Sequence, residues 1–261
     1  MAALPCAAQP DPAALLRKMV DAEKRNREQS AYFVYREDIR SSAATAGQLP
    51  RQTGWITYEV TLLEGESYHR PVARDGVPFG PAEQDAQDQR FQKVGEYRRN
   101  TPIEERRRRY FEAEEHRYRF DSEIVARYHD ATVLGVDKVG DRDVWLVSTE
   151  PRRGAPRPKR RSEWSLCQRI KYWIDQSTWL PLRFEAEQLY DYEGTRKGAI
   201  SRVETVLIDG VMLPERITNT TSSGGGRQRS TLVTDQTYSA YKRFQTETVL
   251  LFTDPSLSVR Y

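Results

Sequence analysis

The apolar positions near the start of the chain follow the period of a helix. Asp11 is a favourable N-cap and Pro12 suits a first helical turn. The apolar side chains that follow recur at helical spacing: Leu15, Leu16, Met19 and Val20. Because the pattern ends in the charged run 24–27, it predicts one amphipathic helix that packs against a sheet.

After residue 31 the period of the pattern becomes two, which is typical of a strand. The apolar phase of the strand predicted over 32–40 contains Phe33, Tyr35 and Ile39. The opposite phase is charged and contains Arg36, Asp38 and Arg40. A turn over 41–50 and a second alternating segment over 55–63 complete a predicted antiparallel hairpin.

Most of the remaining chain has the same alternating pattern. Further strands are predicted at 68–72, 131–138, 144–149, 168–175, 181–190, 199–208, 213–221 and 230–244. Turn signals such as Asp75-Gly76 and Asp209-Gly210 separate them. The pattern therefore predicts a mainly β (α+β) fold, a curved antiparallel meander with flanking helices.

One segment, 82–110, lacks a strong apolar stripe and is densely charged. It predicts a helix or a helix pair that breaks near Thr101-Pro102, because proline removes a backbone donor and clashes with the preceding turn. With so few apolar positions, this segment should pack on a sheet edge or act as a lid.

Composition limits the class of partner. The 261 residues include 41 basic and 38 acidic ones, so the net charge is only +3 and gives no bulk nucleic-acid footprint. Aromatic residues make up 10%, which suits half-buried sheet surfaces. No stretch approaches the roughly 20 apolar residues of a membrane span. We expect a protein that is not a nucleic-acid binder and that acts as a monomer.

The first ten residues differ from the rest. Small residues lead up to Ala8-Gln9, as at the end of a secretory signal peptide, although a short disordered tail fits as well. We therefore divide the chain into a signal remnant or tail, 1–10, and one domain, 11–261. The first interpretation implies a bacterial periplasmic or secreted protein.

Catalytic and metal motifs are weak. Cys6 and Cys167 form no Cys-x-x-Cys pair and the three histidines are scattered, so the sequence predicts no metal and no cofactor. A disulfide between the two cysteines stays an open, minor alternative. Glu185 and Glu187 share a strand face, which favours cross-strand ion pairs over glycoside hydrolysis.

Two basic runs could bind anions. Run 106–109 is flanked by glutamates and predicts a self-paired helix surface. Run 151–161 is proline-rich, contains no acidic residue and predicts an exposed loop. Its surface-interaction candidates are Arg152, Arg153, Arg157, Lys159, Arg160 and Arg161. Anionic lipid headgroups, an acidic envelope protein and no ligand at all remain open alternatives for this loop.

One hairpin carries a resemblance to a known family. Residues 169–187, RIKYWIDQSTWLPLRFEAE, resemble a LolA/LolB-like (outer-membrane lipoprotein-sorting) hairpin, in which a Trp-Ile-Asp end turns through Thr and returns as Leu-Pro-Leu-Arg. The Asp209-Gly210 turn followed by Leu213-Pro214 is similar. The resemblance implies an unclosed β-barrel whose concave face is covered by helices. It also implies binding of acyl chains or other apolar ligands, or envelope-stress sensing, and it brings no catalytic residue.

The alternating strands offer more aromatic and branched side chains to one face than two thin helices would cover. Candidate cleft residues are Phe33, Tyr35, Tyr58, Val60, Trp145, Trp173, Phe184 and Val206. Ordinary core packing is the alternative for each of them. The leading hypothesis is a non-enzymatic exported carrier for a lipid, an acyl chain or an acylated protein. A periplasmic sensor or interaction module is second, and an envelope-polymer hydrolase is last.

Overall fold

A computed structural model describes residues 10–45, 48–109, 122–223 and 230–244. Eleven strands form one sheet in this part of the chain. The strands are β1 (Phe33–Thr45), β2 (Arg51–Leu63), β3 (Glu66–Arg74), β4 (Val77–Pro78), β5 (His129–Val139), β6 (Arg142–Pro151), β7 (Gln168–Asp175), β8 (Pro181–Gln188), β9 (Ile200–Ile208), β10 (Val211–Ser223) and β11 (Ser230–Arg243). The predicted mainly β fold is confirmed.

The described helices are few. They are α1 (Pro12–Ser30), α2 (Pro81–Asn100), a helical stretch over 103–109, α3 (Ser122–Tyr128) and a 3₁₀ turn (Arg161–Cys167). Asp11 caps α1 as predicted, because its Oδ2 accepts a hydrogen bond from Ala14 N at 2.9 Å. The expected break at Thr101-Pro102 separates α2 from 103–109. No helix among the described residues is long and apolar enough to cross a membrane.

All pairings in the sheet are antiparallel, and the order is β4-β3-β2-β1-β11-β10-β9-β8-β7-β6-β5. Sequential hairpins build two meanders, one from β1 to β4 and one from β5 to β11. The pairing of β1 with β11 joins them, with Ile39 opposite Gln236. The sheet does not close, since β4 and β5 lie at opposite edges.

One row of directly paired residues runs across ten strands on the same face of the sheet. Its members are Val133, Val147, Tyr172, Phe184, Val203, Ile217, Gln236, Ile39, Ile56 and Arg74. Paired residues of an antiparallel sheet point to the same side. We call this side the inner face and the opposite side the outer face.

Helix α1 covers the β5–β8 part of the inner face. Leu15, Leu16 and Met19 are buried in one cluster with Val125 of α3 and with sheet residues that include Val147. Burying one such aliphatic side chain contributes about 1.5–3 kcal/mol. The apolar stripe predicted for α1 is therefore confirmed as the helix side of the main core.

Helix α2 lies on the other side of the sheet. Phe91 of α2 contacts Tyr68 edge-on at 5.2 Å, and Arg70 donates to Asp88 of α2. Tyr68 is paired with Thr61, one position out of phase with the inner-face pair Val60–His69. The described helices are thus divided between the two faces, with α1 on the inner face and α2 on the outer face. Alternation along β3 places α2 on the outer face, because the residues of β3 that point to that face include Tyr68, the aromatic partner of α2.

The outer face of the sheet carries rows of paired charges. Five cross-strand ion pairs lie there: Arg169 with Glu150 and with Glu187, Arg183 with Glu204, Arg202 with Glu185, and Arg216 with Asp235. Exposed pairs of this kind contribute little stability. They keep the face polar, and they confirm the ion-pair interpretation of Glu185 and Glu187.

Asp175 organises the β7–β8 hairpin. Its carboxylate is 2% exposed, and its Oδ1 accepts bonds from the backbone N–H groups of Ser177 and Thr178 at 3.0 and 2.7 Å. Arg142 donates to its Oδ2 at 2.7 Å. Burial raises the pKa of Asp175, but these hydrogen bonds and the Arg142 charge outweigh it and hold the pKa below its usual value. The Asp-to-Thr segment of the motif therefore forms a locally capped turn.

Two local predictions were wrong. Residues 41–45 belong to β1 rather than to the predicted turn, because Ser41 to Thr45 pair with β11. Helix α3 was not predicted, since its seven residues are too few to give a clear period. The first error reflects tertiary pairing that overrides local propensity.

Candidate functional site

A cluster of apolar side chains covers the inner face where β11, β1 and β2 meet. We call it the aromatic patch, and its members are Tyr35, Ile39, Ile56, Tyr58 and Tyr238. Each is half-buried. The register sets them side by side, because Ile39 pairs with Ile56 while Glu37 pairs with both Tyr58 and Tyr238. Helix α1 makes its main contacts with α3, β5 and β10, none of which contributes a residue to the aromatic patch.

Tyrosine rings in edge-on and tilted contact form one border of the aromatic patch. The ring centroid of Tyr35 lies 5.7 Å from that of Tyr238 and 5.3 Å from that of Tyr241. A bulge at Ala240, which has φ 52°, brings Tyr241 onto this side. Tyr241 donates from its hydroxyl to the carbonyl of Pro214 at 2.6 Å, and burial raises its pKa. The rings therefore form a packed wall tied to β10.

A polar pair interrupts this apolar surface. The Glu37 side chain is 9% exposed, and its Oε2 lies 3.2 Å from Nδ1 of His69, whose side chain is 34% exposed. Tyr58 contacts the imidazole edge-on at 6.0 Å. A carboxylate buried this deeply is stable only with a hydrogen-bonding partner. His69 is that partner, and it presents the rest of its ring beside the aromatic patch.

The eight cleft candidates do not lie together. Tyr35, Tyr58 and Val60 lie in or next to the aromatic patch, and Val60 is 4% exposed. Trp145 and Phe184 pack against the core cluster beneath α1.

The other three candidates lie elsewhere. Phe33 and Val206 belong to a separate cluster with Leu213. Trp173 lies between the inner-face residues Tyr172 and Ile174, so it points to the outer face. There it donates to Asp137 at 3.2 Å and lies under the guanidinium of Arg183. The structure therefore separates one shared patch, at β11–β2, from residues that pack in the core or on the outer surface.

The basic loop, residues 152–160 between β6 and the 3₁₀ turn, is largely exposed but is held by contacts with the rest of the protein. Pro158 is buried, and Lys159 N donates to Glu163 Oε2 at 2.7 Å. Arg152 is partly structural, since its guanidinium donates to the carbonyl of His129 at 3.1 Å. Arg157 lies over the ring of Tyr190.

The six basic candidates of run 151–161 are thus not equivalent. Arg152, Arg153, Arg157, Lys159 and Arg160 are exposed, while the side chain of Arg161 lies outside the described part. The side chains of Arg153, Arg157 and Lys159 form no ion pair with described residues. Among the described residues, these three cations therefore have no ion-pair partner.

Cys167 is a free, fully buried thiol. It donates to the carbonyl of Trp164 at 2.9 Å and accepts from Gln188 Nε2 at 3.1 Å. Burial raises its pKa to about 11, so it is not an activated nucleophile. Cys6, the other half of the possible disulfide, lies outside the described residues. Within the described ranges no three metal-ligating side chains cluster.

The sequence contained a signal for the Glu37–His69 pair that was missed. Glu37 stands between Tyr35 and Ile39, in the apolar phase of the alternating β1 pattern. A charged residue in that phase indicates a buried polar site. Its partner could not be identified from the sequence, because His69 is separated from it by 32 positions and by all of β2.

No protein-family model and no curated protein sequence matches the chain. Among solved structures, it is similar to a LolA superfamily protein from Nitrosomonas europaea, with 14% identity, a TM-score of 0.34, and coverage of 89% of this chain and 94% of that one. It is also similar to a DUF1329 family protein from Desulfovibrio piger, with 14% identity, a TM-score of 0.35, and 95% and 99% coverage.

A third similar structure is an outer membrane lipoprotein-sorting protein domain from Vibrio parahaemolyticus, with 11% identity, a TM-score of 0.38, and coverage of 87% of this chain and 92% of that one. With TM-scores below 0.5, these similarities carry no argument about a ligand or a partner. These structures include a member of the superfamily that the 169–187 hairpin resembles, and each match covers most of this chain.

Proposed function

We propose that this protein is a non-enzymatic binding protein that shelters a lipid, an acyl chain or an acylated protein against the aromatic patch. The observation that carries the proposal is the run of half-buried aromatic and branched side chains on the inner face of β11, β1 and β2. Each methylene of a ligand buried there contributes about 0.8 kcal/mol. A long acyl chain therefore gains enough free energy for binding even after the cost of association.

We further propose that the protein works in the bacterial envelope, as a periplasmic or secreted carrier, and acts as a monomer. The support is the resemblance of the 169–187 hairpin to a LolA/LolB-like hairpin. The turn of this hairpin is a defined local structure, because Asp175 caps it. A carrier needs no cofactor and no nucleic acid, in agreement with the expectations from composition.

The test is binding of an environment-sensitive fluorescent acyl probe, supported by native mass spectrometry of gently purified protein. We expect saturable probe binding, and we expect Ile56→Lys to weaken it at least ten-fold. The reason is that a lysine ammonium beside Ile39 must lose its hydration when the acyl chain of the probe binds. Failure of the correctly folded protein to bind any acyl probe would count decisively against the proposal.

The matched control is Ile200→Lys. Ile200 pairs with Glu187 on the outer face and is 39% exposed, so the same substitution there adds the same charge away from the patch. We expect unchanged probe binding. If Ile56→Lys does not fold, Ile56→Ala removes apolar contact without adding charge and should weaken binding by a smaller factor. Equal weakening by the inner-face and outer-face lysines contradicts the assigned face.

A second candidate function is an envelope sensor or protein-interaction module that uses the basic loop. It is favoured by the exposed side chains of Arg153, Arg157 and Lys159, which have no ion pair among the described residues. An anionic membrane surface or an acidic envelope protein fits this charge, at about 1 kcal/mol for each basic residue near an anionic lipid surface.

The test of this second candidate is deletion of residues 154–159. Loss of partner capture or of vesicle binding, with acyl-probe binding intact, supports it. Unchanged capture and unchanged vesicle binding exclude the loop as a docking surface. The remote alternative, an envelope-polymer hydrolase, predicts an activity that disappears in Glu185→Gln, a residue whose carboxylate is paired with Arg202.

A further inference from the structure

Glu37 and His69 form a polar pair on the inner face beside the aromatic patch, and neither belongs to the main core cluster beneath α1. Glu37 lies on β1 and His69 on β3, on either side of Tyr58 and Val60 of β2. The pair therefore spans the central strand of the patch. Burying a carboxylate in such surroundings costs free energy unless its partner is well placed. The pair therefore needs a reason, either good hydrogen-bond geometry between its two members or a ligand that contacts them.

The pair fixes the proton on the imidazole. A carboxylate can only accept, so the ring nitrogen that faces Glu37, Nδ1, carries the hydrogen. A neutral imidazole then has an unprotonated Nε2, which is an acceptor. In a histidine held in this way, the protonation state of the second ring nitrogen is set by the hydrogen bond that the first one makes.

His69 lies beside the surface that the proposed acyl ligand occupies, and its side chain is accessible there. The imidazole is packed edge-on against Tyr58, a member of the aromatic patch, yet its side chain keeps 34% exposure. An oriented polar group on the border of an apolar surface is the usual arrangement for fixing one end of a small ligand.

We propose that the Glu37–His69 pair recognises the polar head of the bound amphiphile, and that this head carries a hydrogen-bond donor, a hydroxyl or an amide N–H. This inference rests on the proposed function and adds the chemical class of the ligand. An ester or a hydrocarbon end leaves Nε2 without a partner next to an apolar surface, and an unpaired group there lowers affinity.

The test compares four ligands of equal chain length: a fatty alcohol, a primary fatty amide, a fatty acid and its methyl ester. Each competes with the fluorescent acyl probe at pH 8.5. We expect the alcohol and the amide to bind about three- to ten-fold tighter than the methyl ester, the range given by one neutral hydrogen bond.

His69→Phe should abolish this preference and leave the affinity for the methyl ester unchanged. If the phenylalanine does not fold, His69→Lys can still donate to Glu37 but has no hydrogen-bond acceptor, and it should abolish the preference as well. The matched control is Ser67→Ala, two residues earlier on the same face of β3, which should keep the preference.

The outcomes separate the two proposals. Equal binding of alcohol, amide and ester by the unmodified protein overturns the inference and leaves the acyl-binding function intact. Tighter binding of the fatty acid than of the alcohol and the amide also overturns it, because it means that His69 donates to an anion. Binding of none of the four overturns the proposed function and the inference together.

Discussion

Asn26 of α1 and Met212 of β10 exchange two hydrogen bonds. Asn26 Nδ2 donates to the Met212 carbonyl at 2.7 Å, and Met212 N donates to Asn26 Oδ1 at 2.7 Å. The side-chain amide of Asn26 thus replaces the hydrogen bonds that a neighbouring strand would make. It satisfies both backbone groups of Met212, which is 5% exposed. This pair fixes the end of α1 on the sheet, just before the chain enters β1.

We expect Asn26→Ala to destabilise the protein by about 1–3 kcal/mol, since it leaves two buried backbone groups without partners. Urea unfolding measures the change. Arg25→Ala, at an exposed position of the same helix, is the control and should lie within about 0.5 kcal/mol of the parent. Equal effects of the two substitutions contradict the role given to Asn26.

His129 should make folding sensitive to mild acid. It is 3% exposed, its Nε2 donates to the carbonyl of Ser165 at 3.1 Å, and burial lowers its pKa from 6.5 to about 4. The unfolded chain therefore binds the proton first, so stability is lost as the pH falls from about 6.5 to about 4. The loss is on the order of 3 kcal/mol.

Urea unfolding between pH 7.5 and pH 4 checks this window. We expect His129→Gln to flatten the dependence, because glutamine does not titrate, while it costs some stability at pH 7.5 through imperfect packing. A slope that stays the same in His129→Gln assigns the acid sensitivity to other groups.

Cys167 should resist alkylation in the native protein. Its pKa of about 11 leaves little thiolate at pH 8, and its side chain is buried. Peptide mass spectrometry after iodoacetamide treatment should find Cys167 unmodified in buffer and fully modified in urea. Protection that persists in urea and disappears only with a reductant indicates a disulfide and contradicts a free thiol.

Gly76 should be more sensitive to substitution than other turn glycines. It has φ 79°, and an added Cβ would lie 2.6 Å from Cζ3 of Trp55. The Trp55 ring is held by a hydrogen bond to Asp38 at 3.0 Å and by stacking with Arg40. We expect Gly76→Ala to cost about 2–4 kcal/mol, the sum of backbone strain and overpacking.

The control for Gly76 is Gly140→Ala. Gly140 also has a positive φ, 62°, but an added Cβ there meets no atom within 4 Å. We expect it to lose about 1 kcal/mol from backbone strain alone. Unfolding curves give the loss of unfolding free energy in each variant, and the difference between the two losses is the cost of the clash with Trp55. Identical losses show that Trp55 moves aside.

Local pattern determined the elements of this fold. The period-two alternation of β7 and the helical spacing of Leu15, Leu16 and Met19 each depend on residues that are neighbours in the chain. Asp11 at the start of α1 and Asp75-Gly76 at a tight turn are likewise local chemistry. Strand existence and fold class could therefore be predicted from the sequence, as could the paired charges of Glu185 and Glu187.

Only the tertiary structure decided which faces meet. The pairing of β1 with β11 joins segments about 200 residues apart, and it alone brings Tyr35 next to Tyr238. It also divides the candidate aromatics, with Trp173 on the outer face and Tyr58 on the inner one. The partner of Glu37 depends on the register of two successive strand pairs, and a shift of one residue in either would move His69 to the other face. Periodicity assigns each side chain to a face of its own strand, whereas the contacts across strands are set by registers that no local pattern contains.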